Sequence, residues 1–123
     1  MKKILLLVVM TLLLFSCNRE DDVVRSSFQG VWSGIYQGND SGTWKVNVAE
    51  DGSITGWTKR YTGTQFVISG SVDSGGNLSA VIGNSGTGGE FKGVLRSDKT
   101  CSGTWKNVTT SPIMSGNWNG SKE

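Results

Sequence analysis

The chain has 123 residues, with 12 Lys and Arg against 10 Asp and Glu, 18 glycines, five tryptophans and no histidine. Its formal excess of +2 sits in Lys2 and Lys3, since every acidic residue follows position 17, and the remaining cations are scattered through a near-neutral sequence. That balance argues against the basic face that nucleic-acid binding draws on, and the missing histidine removes the commonest general base and the commonest zinc ligand together.

Residues 1–16 come first in chain order and read as a secretory signal: Lys2 and Lys3, an apolar run from Ile4 to Phe15, then small Ser16 before Cys17. The run is too short to cross roughly 30 Å of hydrocarbon as a helix. Leu14-Phe15-Ser16-Cys17 resembles the lipobox of bacterial lipoproteins. The resemblance implies cleavage before Cys17 and acylation of that residue, with the bacterial outer membrane as the expected location, on its periplasmic face or at the cell surface. Each buried methylene of an acyl chain brings about 0.8 kcal/mol, so two or three chains hold a protein on a membrane.

Residues 17–27 are polar apart from Val23 and Val24 and are expected to form a flexible tether. Within them, Glu20-Asp21-Asp22 resembles the acidic export signal of some Gram-negative surface lipoproteins, and reads equally as a solvated spacer. With Cys17 acylated, Cys101 has no cysteine to pair with and is expected as a small buried apolar residue. A catalytic thiol needs an activating neighbour that no histidine supplies.

From Phe28 onward the pattern has period two. In Gly42-Thr43-Trp44-Lys45-Val46-Asn47-Val48 the apolar side chains alternate with polar ones, which is the signature of a strand with one dry face. Eight strands are predicted, at 28–37, 42–49, 53–60, 64–72, 77–83, 89–96, 100–106 and 113–121. Gly, Asn and Asp cluster in the short connections, where hairpins need positive φ. Asp51, Asp73 and Asp98 are placed there as backbone-serving turn residues. An open meander would leave two bare edges, so the expected fold is all-β, an eight-stranded antiparallel up-and-down β-barrel over residues 28–123. Such a barrel has an interior wide enough for side chains or one small ligand. Glycines recur on the inward register, at Gly30, Gly34, Gly56, Gly70, Gly93, Gly103 and Gly116, and are expected to permit sharp coiling.

The pentapeptide SGTWK occurs at Ser41–Lys45 and again at Ser102–Lys106, with a variant at Ser115-Gly116-Asn117-Trp118. This echo points to duplicated hairpins in one barrel. Gly30-Val31-Trp32 on the first strand resembles the G-x-W that opens the calycin barrels, the lipocalins and avidins. In those families a basic residue of the last strand covers that tryptophan, for which the resemblance offers Lys122, or Lys106 one strand earlier. It implies a barrel and a hint of ligand binding, and it names no ligand.

Two candidate sites follow. Trp32, Trp44, Trp105 and Trp118 fall on the inward register with Phe28, Tyr36, Phe66 and Phe91, either as solid core or as the lining of a pocket for a small apolar ligand. Trp57 is out of phase with Ile54, and Trp57, Lys59, Arg60 and Tyr61 form a second candidate near a hairpin, for gripping a protein or glycan, unless Trp57 folds over the barrel's end or is covered by the tether. A paired-carboxylate enzyme would need two acids such as Glu50 and Glu90 to meet, which nothing in the linear order indicates. The expected protein is therefore a non-catalytic, monomeric lipoprotein without metal or cofactor. It binds a small ligand or an envelope or surface protein, or serves the envelope structurally.

Overall fold

The computed structural model describes residues 26–83, 88–107 and 112–123. The signal segment 1–16, Cys17 and the tether up to residue 25 lie outside the described residues. Among the described residues eight strands run in chain order: β1 (Gly30–Gly38), β2 (Gly42–Val48), β3 (Ser53–Arg60), β4 (Gln65–Val72), β5 (Asn77–Ile82), β6 (Gly89–Leu95), β7 (Thr100–Asn107) and β8 (Met114–Lys122). Each strand pairs antiparallel with the next, and β1 pairs with β8 as well as β2, from Trp32 opposite Lys122 to Gly38 opposite Gly116. The sheet is a closed up-and-down barrel, as the alternation predicts, and among the described residues no strand edge is left bare.

Strand bounds fall within two residues of those read from the sequence, the largest difference being at the start of β1. Phe28 does not join that strand. It is buried beneath the barrel end, with its ring beside Gly76 of the β4–β5 turn, and its carbonyl accepts the Trp32 indole N–H at 2.9 Å. Gly30, at φ 135°, then turns the chain into the ladder. Just before Phe28, Ser26 donates its backbone N–H to the Glu50 carbonyl at 2.7 Å, so the end of the segment expected to be a flexible leash is fastened to the β2–β3 turn.

Even-numbered residues of β1 to β5 and of β8 face inward, as do odd-numbered residues of β6 and β7. Along this inner face lie the buried Trp32, Trp44, Val46, Val48, Ile54, Ile68, Leu78, Phe91, Leu95 and Trp118. Cys101 is among them, with its thiol pushed up to about 12 by burial.

The inward glycines have a more specific task than coiling. Trp44 is opposite Gly34, which is in turn opposite Gly120, and the indole lies across both. Its N–H donates to the Ile35 and Asn119 carbonyls at 3.2 Å, and a Cβ on Gly120 would sit 2.7 Å from the ring. Trp118 repeats the arrangement over Gly103 and Gly93, donating to Thr104 and Lys92 at 3.1 Å. Trp105 lies over Gly116 with Gly38 beyond it and donates to Gln37 at 3.0 Å. Each tryptophan of the repeated S-G-x-W thus rests flat on the barrel wall where two neighbouring strands carry no side chain, with its one polar atom satisfied by strand carbonyls.

Candidate functional site

The two ends of the barrel are built differently. At one end, three short hairpins are fixed by aspartates. Asp51 accepts from the Ser53 N–H and hydroxyl at 2.9 and 2.7 Å, and Asp98 accepts from the Thr100 N–H and hydroxyl at 3.0 and 2.6 Å. Asp73 accepts from the N–H groups of Gly75 and Asn77, both at 2.9 Å. These bonds favour the ionised form, so hydrogen bonding from Ser53, Asn77 and Thr100 holds the three carboxyls below their ordinary value. Phe28 and Trp32, with rings 6.5 Å apart, fill the space these turns enclose.

The opposite end is a mouth. It opens onto a cavity of about 270 Å³ whose walls include Tyr36, Phe66, Phe91, Trp105, Ile82 and Met114, with Asp40, Thr58, Arg60 and Asn107 as its polar members. Its floor is an aromatic layer. Phe91 stacks on Trp118 with centroids 4.4 Å apart and planes 11° apart, and Trp44 meets both rings edge-on at 5.6 and 5.2 Å. Tyr36 stands edge-on to Trp105 at 5.7 Å.

Of the four tryptophans expected to line a pocket, the structure brings only Trp105 to the cavity. Trp44 and Trp118 lie in the layer beneath it, and Trp32 belongs to the far end, where it is opposite Val46 and Lys122. Phe66 is on the inward register as expected, yet remains 38% exposed because it stands at the rim.

The second candidate group divides. Trp57 faces outward, half-buried, between Lys45 and Val67 in register, and Lys59 also faces outward. Tyr61 is exposed in the turn. Arg60 turns the other way: as the last residue of β3 it shares the inward parity of Ile54, Gly56 and Thr58 and points into the mouth. Its Nε donates to Asp40 Oδ2, and its guanidinium lies 5.4 Å from the centroid of Phe66. Trp57, Lys59, Arg60 and Tyr61 therefore do not make one surface. Arg60 and Thr58 were readable as inward from parity with Ile54, whereas nothing in the linear order marks Asp40, whose place depends on the β1–β2 connection.

Tyr36 is raised above its ordinary value first by burial and then by the Asp40 carboxylate, so it stays a phenol with a proton to donate. Among the carboxylates, Glu50 sits on a closed-end turn while Glu90 faces outward near the mouth, 3.8 Å from Lys92, so these two do not meet. Among the described residues, no group of three or more His, Cys, Asp or Glu is placed to hold a metal ion. No protein family matches this chain in sequence, and no curated protein matches it either.

Proposed function

We propose that this chain is a bacterial lipoprotein, held at the outer membrane by acyl chains on Cys17, whose calycin-like barrel binds a small, largely apolar molecule in its mouth without catalysis. The observation that carries the binding reading is the aromatic-walled cavity of about 270 Å³, open at one end of a barrel that is packed solid at the other. Its volume falls just below the roughly 300–1,000 Å³ of pockets for drug-sized ligands, which favours a smaller one. In support of the calycin likeness, Lys122 of the last strand is the register partner of Trp32, the position at which the resemblance asks for a basic residue. A non-catalytic role fits a chain without histidine whose Cys101 is buried and held as a thiol. Binding of a protein or glycan through the loops is the weaker reading, because Arg60 leaves the outer group for the mouth.

Titration of the tryptophan emission with small apolar probes tests the mouth. A saturable change that is lost in Trp105→Phe supports it, and no response to any probe counts against it. Cys17→Ser tests the anchor: the protein should leave the detergent phase for the aqueous phase.

A further inference from the structure

Among the described residues, the mouth carries hydrogen-bond donors that its own side chains do not use. Arg60 meets Asp40 through Nε, and neither Nη has a hydrogen-bond partner among the described residues. Tyr36 buries its ring in the same wall, and its hydroxyl, which makes no hydrogen bond to a described residue, is not a buried orphan but belongs to the lining of the cavity. These two groups approach each other for a structural reason. Tyr36 on β1 and Arg60 on β3 both have Gly42 of β2 as their register partner, so no side chain stands between them on the inner face.

The free groups are donors, while the charge is already balanced. Nη1 and Nη2 of Arg60 can only donate, and the Tyr36 phenol keeps its proton. Asp40 neutralises Arg60 locally, and its second oxygen is taken by the Ser41 N–H at 2.9 Å. A carboxylate ligand would gain Arg60 but lie against the Asp40 carboxylate, and an ammonium ligand would face the guanidinium. An uncharged acceptor meets neither penalty. Around these donors the walls are Phe66, Phe91 and Trp105, suited to an aromatic or other flat apolar body.

Building on the mouth-binding reading, we propose that the cavity selects a small uncharged molecule with an apolar, preferably aromatic, body and a carbonyl-type acceptor, which Arg60 Nη and Tyr36 Oη receive together. Asp40 is the selectivity residue: it holds Arg60 in place and rejects anions.

The test uses the full chain in phospholipid nanodiscs, with probe partitioning into empty nanodiscs subtracted, and four probes of similar size: benzamide, benzoate, benzylammonium and toluene. Affinity is read from tryptophan emission. Benzamide is expected to bind about tenfold or more tighter than benzoate or benzylammonium, the scale set by one charge-assisted hydrogen bond. Asp40→Asn should reverse the order of benzamide and benzoate, because it leaves Arg60 uncompensated. Tyr36→Phe, which keeps the ring, should bring benzamide down towards toluene, and it decides the matter if Asp40→Asn fails to fold. Benzoate binding as tightly as benzamide to the unaltered protein overturns the proposal, as does an order unchanged by Asp40→Asn. Toluene binding with no preference among the other three leaves the mouth reading standing and removes this inference. No binding of any of the four removes both.

Discussion

The closed end and the mouth of this barrel share strands, hydrogen-bond ladders and aromatic residues, and differ in what their connections do. At the closed end each turn is short and fixed by an aspartate, and Phe28 is drawn beneath to complete a dry core. At the mouth the inward positions carry Arg60, Thr58, Tyr36 and Phe66, and among the described residues these side chains border a cavity instead of filling it. The contrast shows a division of labour along one set of strands: the lower layers supply the stability that allows the top layer to be incompletely packed.

The strongest way to break that picture is through the glycines under the indoles. In Gly103→Ala the new Cβ would lie inside contact distance of the Lys92 carbonyl and 2.5 Å from the Trp118 ring. Since the first obstacle is backbone, a loss of about 3 kcal/mol or more is expected in urea unfolding, at the upper end for overpacking. A midpoint unchanged by this substitution would mean that the indoles do not rest on the glycine rows.

Next in size is a direct comparison of two tryptophans. Trp118→Ala removes a ring packed on every side and should cost about 3–5 kcal/mol. Trp105→Ala enlarges a cavity that already exists and should cost clearly less, about 2 kcal/mol, because part of its surface has no packing partner to lose. Equal losses would place the two residues in the same kind of environment and erase the distinction between core and mouth.

The two pH limbs sharpen the contrast in another way. Asp51, Asp73 and Asp98 have folded-state values below their unfolded value of 3.8, so their contribution is present above that pH and is lost as pH falls through the lowered values. The triple Asp→Ala variant should show a flatter acid limb below about pH 4. Cys101 has the opposite sign. Burial raises it from 9.0 to about 12, so the stability tied to its neutral thiol is intact below pH 9 and is lost as pH rises towards 12. Cys101→Ala should remove that part of the alkaline decline, as followed by urea midpoints across the range.

The smallest expected effect concerns one turn. Gly52 and Gly76 occupy the left-handed position of their hairpins, both at φ 89°, and Lys99 occupies the equivalent place in the third at φ 72°. A side chain there is disfavoured by about 1–2 kcal/mol relative to glycine. Offset by the greater freedom of glycine in the unfolded chain, Lys99→Gly should stabilise by under about 1 kcal/mol, seen as a modest rise in Tm.

Much of the fold was legible because one face of each strand must be dry and the other wet, so parity alone assigns Trp44, Val46 and Val48 to the interior and Lys45 and Asn47 to the outside. The hairpin turns were legible because Asp and Gly have few other reasons to recur between strands. The glycine rows were visible only as a repeated S-G-x-W. Their meaning depends on which strands become neighbours, and Trp44 reaches across to Asn119, 75 residues away, only once the barrel closes. The site was the least legible part. Arg60 looks like a loop cation because it borders Tyr61-Thr62-Gly63, although its parity puts it inside. Which tryptophans meet the cavity is a question of height along the barrel axis, which alternation does not encode.

Whether the mouth binds while the layers below only support it is decided by the five tryptophan indole N–H resonances in ¹H–¹⁵N spectra during titration with benzamide. A large, saturable shift is expected at Trp105, with smaller ones at Trp44 and Trp118 in the floor and none at Trp32 or Trp57. A shift confined to Trp57 would move binding to the outer wall, and silence at Trp105 under conditions where the probe is bound would mean that the mouth is not the binding site.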